Sequence, residues 1–231
     1  MSESARPAIG ITTRWAAAAS TRSVSPVFSA PTARATGERL AARLQADFRN
    51  GGIHPHFGTR NVIIPLAQGR YVEVVEPLEH PVAVKAPFGQ AVRHICEAGG
   101  GWMSWVVRVY DLPTHAWRLQ REPAEGHRVF PDSRCLQWLE IGPTNLLTSP
   151  HLPVLVQYLN PELHPSLAVG VEPRSAISEI TVAGDVEEIR DWLGPAAEPG
   201  PGDVPVRLKS CQAAPGVAAV SFHTPHGVVT I

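Results

Sequence analysis

Apolar and polar positions along this chain follow patterns that predict a mixture of strands and helices. Segments rich in β-branched residues and bounded by turn residues predict strands. The predicted strand segments are RNVIIPLA (60–67), RYVEVVEP (70–77), SWVVRVYDL (104–112), CLQWLEIG (135–142), PVLVQYLNP (153–161), ISEITVAG (177–184), VRLKSC (206–211) and GVAAVSFHTPHGVVTI (216–231). The first two are joined by a predicted turn at Gln68–Gly69.

Four further segments predict helices. In TGERLAARLQADF (36–48), Leu40, Leu44 and Phe48 recur every four residues, and Thr36 is in place to cap the helix. The other three are PFGQAVRHICEAGGG (87–101), THAWRLQREP (114–123) and DVEEIRDWLGP (185–195). The glycine- and proline-rich stretch GGIHPHFG (51–58) between the first helix and the first of these strands predicts a loop.

The chain contains an internal repeat. YVEVVEPLEHP (71–81) aligns with LVQYLNPELHP (155–165) at an offset of 84 residues, and VFSAPT (27–32) aligns with VYDLPT (109–114) at an offset of 82. Two modules of strand, helix and strands therefore follow one another. A weaker echo at AVSFHTP (219–225) predicts a third, truncated copy.

Composition narrows the function classes. The 231 residues are 44% hydrophobic, enough for a substantial core, and the formal net charge is −1. That balance argues against a nucleic-acid-binding protein, and no apolar run is long enough for a spanning helix, so we expect no membrane partner. Three widely spaced cysteines form neither a disulfide framework nor a metal pair, which favours the cytoplasm.

The N-terminal residues 1–33 predict a poorly ordered leader followed by a weak first strand. Its Ala, Ser, Thr and Arg content is typical of either a disordered leader or a transit peptide. Pro26 lies inside the first strand, so we expect pairing there to be edge-like at best.

Four motifs carry a resemblance to a known family. GGIHPHFGTRN, GRYVEVVEP, GHRVFPDSRCLQW and LPVLVQYLNPELHPS resemble the glyoxalase-like domain proteins of the vicinal-oxygen-chelate superfamily. The resemblance implies an α+β fold in which two paired strand-helix-strand-strand-strand modules form a cup-shaped sheet. The modules would span 34–98 and 99–170, and a partial third module 171–231. Small molecules bind inside such cups, often on a divalent metal.

Glu73 is the main candidate for chemistry. It lies at the centre of an apolar strand, and burying a carboxylate without a partner is costly. The resemblance places it at the metal-ligand position on the last strand of module one, facing the cup. Two alternatives are an ion pair with Arg60 or Arg70 and an exposed strand face.

The other ligand positions that the resemblance implies do not carry metal ligands. They fall at Arg22, Ser104 and Gln157, and hydroxyl and amide groups bind transition metals weakly. We therefore expect no metal and no other cofactor. One alternative set of two histidines and a carboxylate would combine His54 and His56 with Glu73.

A metal-free cup leaves two hypotheses. In the first, Glu73 is a general base in a lyase, isomerase or dioxygenase type of enzyme. In the second, the cup binds or sequesters a small ligand without chemistry. The predicted ligand-binding residues are His54, His56, Arg60, Asn61, Tyr71, Ser104, Trp105, Trp138 and Gln157. The two tryptophans could instead belong to the core, and Arg60 and Asn61 could serve only a turn. We also expect a homodimer as the assembly to test first.

Overall fold

The computed structural model describes residues 23–130, 132–167, 173–197, 203–210 and 214–231 of the chain. The strands in these ranges are β1 (Val24–Ser29), β2 (Arg49–His54), β3 (Thr59–Leu66), β4 (Arg70–Pro77), β5 (Gly101–Arg108), β6 (Ala124–Val129), β7 (Cys135–Ile141), β8 (Val154–Tyr158), β9 (Ala176–Gly184), β10 (Val206–Ser210), β11 (Gly216–Thr224) and β12 (Gly227–Thr230). The helices are α1 (Ala33–Leu44), α2 (Pro81–Lys85), α3 (Pro87–Glu97), α4 (Leu112–Leu119) and α5 (Val186–Leu193). Every strand and helix predicted from the sequence is present, with shifts of a few residues at the ends.

Eight strands form one large sheet in the order β2-β3-β4-β1-β5-β8-β7-β6. We call β1, α1 and β2–β4 the first half and β5, α4 and β6–β8 the second half. In each half the first strand pairs parallel with the last, and the other pairs are antiparallel. β1 and β5 join the halves in antiparallel register. The outermost strands also meet, because the side chain of Arg128 on β6 packs on Gly52 of β2, and the sheet therefore curls into a cup.

The expectation of a weak, edge-like first strand was wrong. β1 lies at the centre of the large sheet, between β4 and β5, and Val24 is fully buried. Pro26 is tolerated because β1 pairs with β4 only from Val27 onwards, past the proline, and the ladder with β5 contains an irregularity directly after Val27. Residues 1–22, including the predicted leader and Arg22, lie outside the described residues.

The predicted cap of the first helix was also displaced. α1 begins at Ala33, so the N-cap is Thr32, and Thr36 is buried inside the helix. The carboxylate of Glu76 on β4 accepts a hydrogen bond from the backbone N–H of Ala33. A side chain from the neighbouring strand therefore satisfies one of the free N–H groups at the start of the helix.

Strand alternation separates the two faces of β4. Val72 and Val74 are fully buried and belong to the same apolar cluster as Leu40 and Leu44 of α1. Tyr71 and Glu73 therefore point to the opposite, concave face, as the alternation of side chains along a strand requires.

Two strands were missed in the sequence. Gly51 to His54 are part of β2 rather than of a loop, and the chain turns only after His54. β6 was not predicted, because AEGHRV has polar residues on both faces and no apolar alternation. Both are the outermost strands of the large sheet, where one side lacks a partner strand.

The C-terminal residues form a second, four-stranded sheet in the order β10-β9-β11-β12. Its elements repeat the order strand, helix, three strands, but β9 pairs parallel with the next strand, β10, whereas β1 pairs parallel with the last strand of its half. Phe222 of this sheet stacks on Trp102 of β5. The predicted boundary at residue 170 lies outside the described residues. None of the described helices is long and apolar enough to cross a membrane.

Candidate active site in the cup

The concave face of the large sheet encloses a cavity of about 710 Å³, counting the space at its open mouth. Both halves contribute to its wall, and α3 contributes Phe88. The lining residues are Val27, His54, Phe57, Asn61, Ile63, Tyr71, Glu73, Phe88, Ser104, Val106, Arg128, Leu136, Trp138, Glu140, Pro143, Val154, Val156, Tyr158 and Pro165. An apolar wall with a few convergent polar groups is the usual composition of a small-molecule site.

Glu73 projects into this cavity from β4. It is in register with Val27 of β1 and Ile63 of β3, so apolar side chains flank it on both sides. The Nδ2 group of Asn61 donates a hydrogen bond of 2.7 Å to its Oε1 atom. Burial raises the pKa of Glu73, although the hydrogen bond from Asn61 and the positive charge of Arg128 act in the opposite direction.

Two glycines of β2 make room for the polar side chains of the cavity. A Cβ atom at Gly51 would lie 1.9 Å from Oδ1 of Asn61, and one at Gly52 would lie 2.8 Å from Cδ of Arg128. Gly52 also has a φ of 150°, which L side chains rarely adopt. The glycine pair in the sequence thus allows Asn61 and Arg128 to lie against the β2 backbone.

Arg128 is the cation of the cavity wall, on β6. Its residue is only 5% exposed, and its guanidinium lies 4.4 Å from the centre of the Phe130 ring. Burial lowers the pKa of Arg128, while Glu73, Tyr71 and Tyr158 raise it. An arginine nevertheless stays charged in a protein, so the cavity contains a fixed positive charge.

Glu140 is a second buried carboxyl group, on β7. Its Oε2 atom accepts a hydrogen bond of 3.0 Å from the indole N–H of Trp138. The Trp138 ring occupies the space beside Gly126, where a Cβ would lie 2.1 Å from the indole. Burial raises the pKa of Glu140 to about 7, with a further contribution from the charge of Glu73.

Two tyrosines connect the halves across the cavity. The hydroxyl groups of Tyr71 on β4 and Tyr158 on β8 are 2.8 Å apart. Burial raises the pKa of both phenols, so both remain neutral. The imidazole of His164 lies edge-on to both rings, and its Nδ1 is 2.7 Å from the hydroxyl of Ser166.

His54 ends β2 with its ring in the cavity wall. Its Nδ1 is 3.2 Å from the hydroxyl of Thr59. Burial lowers the pKa of His54 to about 4, and the nearby charge of Arg128 contributes. His54 is therefore neutral at physiological pH, and the positive charge of the cavity wall comes from Arg128.

Comparison with known proteins matches the sequence of this chain to one family. The model of the glyoxalase-like domain matches residues 26–197, more than half of the chain. The chain belongs to the glyoxalase-like domain family. This family is part of the vicinal-oxygen-chelate superfamily, as the sequence motifs indicated. A search of curated proteins found no match.

Solved structures are similar to this chain, and the first of them shares its overall fold. A hypothetical protein from Staphylococcus aureus is similar over 91% of this chain and 98% of its own, with a TM-score of 0.63 and 12% identity. Methylmalonyl-CoA epimerase from Mycobacterium tuberculosis is similar over 61% of this chain and 87% of its own, with a TM-score of 0.42 and 12% identity. A methylmalonyl-CoA epimerase in complex with methylmalonyl-CoA and NH4+ is similar over 60% and 95%, with a TM-score of 0.42 and 16% identity.

The cavity of this glyoxalase-like protein contains six of the ten residues that the sequence singled out. They are His54, Asn61, Tyr71, Glu73, Ser104 and Trp138. The roles assigned to them remain predictions.

The other four do not line the cavity. Arg60 points outward, where its side chain is 59% exposed and pairs with Glu76. Trp105 is fully buried in the core and donates its indole N–H to the carbonyl of His151. Gln157 accepts a hydrogen bond from the backbone N–H of Leu112 on the opposite face of β8. His56 is exposed and lies against His127.

The family's metal site does not fit the residues of this cup. The cavity-lining residues include Val27 on β1, Ser104 on β5 and Val156 on β8, and none of these side chains is a strong metal ligand. We expected Gln157 at the cavity-facing position of β8, but Val156 occupies it. Because side chains alternate along a strand, the Gln157 amide lies on the other face of β8. In the described part of the chain no three His, Cys, Asp or Glu side chains converge, and the alternative set with His56 does not form.

Sequence reasoning missed Arg128, Glu140, Tyr158 and Pro165 of the cavity wall. Glu140 carries the same signal that identified Glu73, since it is a carboxylate inside the apolar strand CLQWLEIG. Arg128 had no such signal, because its strand was not predicted. His164 is buried against the two tyrosines of the cavity wall.

Proposed function

We propose that this glyoxalase-like protein binds a small organic molecule in its cup and that Glu73 removes or returns a proton on it. Such proton transfer is the basis of isomerase and lyase reactions. A dioxygenase would require a redox metal, and the donor set around Glu73 does not suit one. The proposal therefore narrows the three reaction types that the resemblance implies.

The main support for proton transfer by Glu73 is the environment of its carboxyl group. Among the described residues Asn61 is the only hydrogen-bond donor to it, and that bond holds Oε1. The Oε2 atom is left for a ligand in the cavity. A general base works best when its pKa approaches the working pH, and burial moves the pKa of Glu73 upward, in that direction.

Other polar atoms in the wall lack a protein partner as well. Oδ1 of Asn61, Oγ of Ser104 and Oε1 of Glu140 are buried and have no hydrogen bond. Buried polar groups are normally paired, so unpaired groups that converge on one cavity support ligand binding there. These atoms would orient the substrate around Glu73.

Non-catalytic binding is the second candidate, and the apolar wall favours it. According to the resemblance, one side of the cup carries metal ligands in related proteins. In this chain that side is covered by Val27, Val154 and Val156. A cup that has lost those ligands would still enclose an apolar molecule. The two candidates differ in what Glu73 does.

Hydrogen–deuterium exchange separates the two candidates. The purified protein is incubated in D2O with a panel of small carbonyl compounds, and loss of the proton next to the carbonyl is followed by NMR. The wild type should accelerate exchange for at least one compound. Glu73→Gln should retain binding of that compound within about threefold but lose at least about 100-fold in exchange rate.

Glu79→Gln is the matched control, because Glu79 is exposed and lies outside the cavity wall. This variant should exchange protons like the wild type. If no compound exchanges, or if Glu73→Gln changes affinity alone, the protein is a binder rather than an enzyme.

Three other expectations belong to this proposal. We propose that the protein works in the cytoplasm, consistent with the free thiols of Cys96 and Cys135, that it needs no metal, and that it forms a homodimer. A stoichiometric divalent ion in the purified protein would contradict the second expectation, and sedimentation would decide the third.

A further inference from the structure

We propose that Arg128 binds the carboxylate of the ligand, so that the substrate class is small organic monocarboxylates. The inference deepens the proposed function and rests on it for the statement that the cup holds a substrate. Arg128, which would recognise the ligand, lies in the second half of the sheet, whereas Glu73, which would carry out the proposed chemistry, lies in the first half.

Arg128 is buried without a hydrogen-bond or ion-pair partner. Among the described residues its side chain forms no ion pair within 4.0 Å and no hydrogen bond, and its Nε atom is buried and unpaired. Only 5% of the residue is exposed, so little solvent is available to replace such bonds. A buried charge of this kind is retained only where something compensates it.

The guanidinium of Arg128 is held in place before any ligand arrives. The Cδ atom lies against Gly52, and the charged group lies over the ring of Phe130. A planar fork of donors in a fixed position suits the two oxygens of a carboxylate. A preorganised donor also loses little conformational entropy when it binds.

The charge of the cavity wall favours a ligand with a single negative charge. Arg128 is the only arginine or lysine among the described lining residues, and His54 is neutral at physiological pH. The wall therefore offers one cation to a ligand. A phosphate ester would bring close to two negative charges beside two carboxyl groups, which would repel it once either ionises.

The other residues of the cavity wall indicate the chemistry of the rest of the ligand. Val106, Val154 and Val156 of β5 and β8 form an apolar surface on the second half of the cup. A carboxylate at Arg128 therefore leaves an apolar body against these valines and brings a neighbouring carbon towards Glu73. Short aliphatic or aromatic acids satisfy all three contacts.

The test compares matched pairs of ligands. Monocarboxylic acids of three to eight carbons and their primary amides are titrated into the full-length protein, and binding is followed by ligand-observed NMR, with phenyl phosphate as a third class. At least one acid should bind at least about tenfold more tightly than its own amide, because only the acid forms charge-assisted hydrogen bonds with Arg128. Equal affinity for acids and amides, a preference for the phosphate, or no binding of any acid at millimolar concentration would overturn the proposal.

Variants then assign the effect to Arg128. Arg128→Gln should reduce the affinity for the acid at least about tenfold and leave the affinity for the amide unchanged, and Arg128→Lys should give an intermediate loss because it retains the charge but not the fork. Arg134→Gln is the matched control, since Arg134 is exposed, pairs with Asp132, and also lies over Phe130. If the glutamine variant fails to fold, the lysine variant still decides: acid affinity equal to that of the wild type would refute the role of the fork.

The outcome is independent of whether Glu73 is catalytic. Glu73→Gln should still prefer the acid to the amide, because Arg128 is unchanged. Carboxylate binding without proton exchange would therefore refute the proposed chemistry and leave this inference standing, and the reverse result would refute only the inference.

Discussion

The two halves of the large sheet share one order of elements but contribute different chemistry to the cavity. In the first half, β4 places Tyr71 and Glu73 on the concave face. In the second half, β8 places Val154, Val156 and Tyr158 there. The backbone pairing is the same in both halves, so the difference arises from the side chains alone.

This difference shows how a repeated backbone can build an asymmetric site. The first half supplies a carboxyl group together with its hydrogen-bond donor, Asn61. The second half supplies the cation, Arg128, and a valine surface. The proposals above depend on this asymmetry, because a small molecule with one charged end and one apolar end would bind to it in one orientation.

The largest expected effect comes from placing a carboxylate on β8 of the second half, as Glu73 is placed on β4 of the first half. Val156→Glu would introduce a carboxylate at a cavity-facing position that is only 4% exposed and in register with Glu140. It would have no donor comparable to Asn61 and would face a second carboxyl group. We expect the free energy of unfolding to fall by about 3 kcal/mol or more, as measured by urea denaturation.

The control for that change is Val228→Glu, at a position that is 62% exposed. The free energy of unfolding of the control should change by less than about 0.5 kcal/mol. A loss below about 1 kcal/mol for Val156→Glu would mean that the second half accepts a carboxylate as readily as the first, and the contrast between the halves would not hold.

The second prediction concerns Glu140, the buried carboxyl group of the second half, and the pH dependence of the free energy of unfolding. The pKa of Glu140 is about 7 in the folded protein and close to 4.5 in the unfolded chain, so the unfolded chain loses this proton first. The contribution of Glu140 to the free energy of unfolding should therefore fall as pH rises from about 4.5 to about 7, and then level off. At roughly 1.4 kcal/mol per pKa unit, the loss is on the order of 3 kcal/mol. In Glu140→Gln this loss should be absent when unfolding is measured at several pH values.

Buried histidines contribute with the opposite sign. The pKa of His54 is lowered to about 4, so its contribution to stability is lost as pH falls from about 6.5 towards 4. This contribution is common to the wild type and the variant and cancels in their difference. Glu125→Gln, at an exposed position of β6, should keep the pH dependence of the wild type. Identical pH curves for the wild type and Glu140→Gln would refute the raised pKa.

The smallest effect concerns the hydrogen bond that joins the halves. Tyr71→Phe and Tyr158→Phe each remove one partner of the 2.8 Å contact, and the double variant removes both. A double-mutant cycle of unfolding free energies should give a coupling of about 1 kcal/mol. The pair Tyr71→Phe and Tyr110→Phe should give none, because Tyr110 is exposed and bonded to Arg108. Zero coupling in the first cycle would show that the tyrosines do not link the halves.

The sequence was most informative where local pattern and burial coincide. β4 and α5 were predicted, because each pattern depends on residues close together in the chain. Glu73 stood out for the same reason, since a carboxylate inside an apolar strand is a local anomaly. Its orientation towards the cup was implied by the resemblance to the family.

The missed features depend on contacts between distant residues. β6 lacks an apolar pattern of its own and is stabilised by pairing with β7, so Arg128 could not be placed in the cavity from its neighbours in sequence. Gln157 was misplaced because the repeat aligns residues without fixing which face each occupies, and a shift of one residue reverses the face. Trp105 and Trp138 both looked like wall residues, but only Trp138 has a glycine opposite its ring in the cup.

The amino-acid sequence by itself determined the strands with strong apolar patterns and the presence of a carboxyl group inside one of them, because periodicity and burial cost act over a few neighbouring residues. Only the tertiary structure decided which groups surround that carboxyl. Asn61, Arg128 and Glu140 come from three different strands, and they meet because the sheet curls until its outermost strands touch. The pKa values and the charge of the cavity follow from that closure, since burial and Coulomb interactions depend on distance in space rather than on separation along the chain.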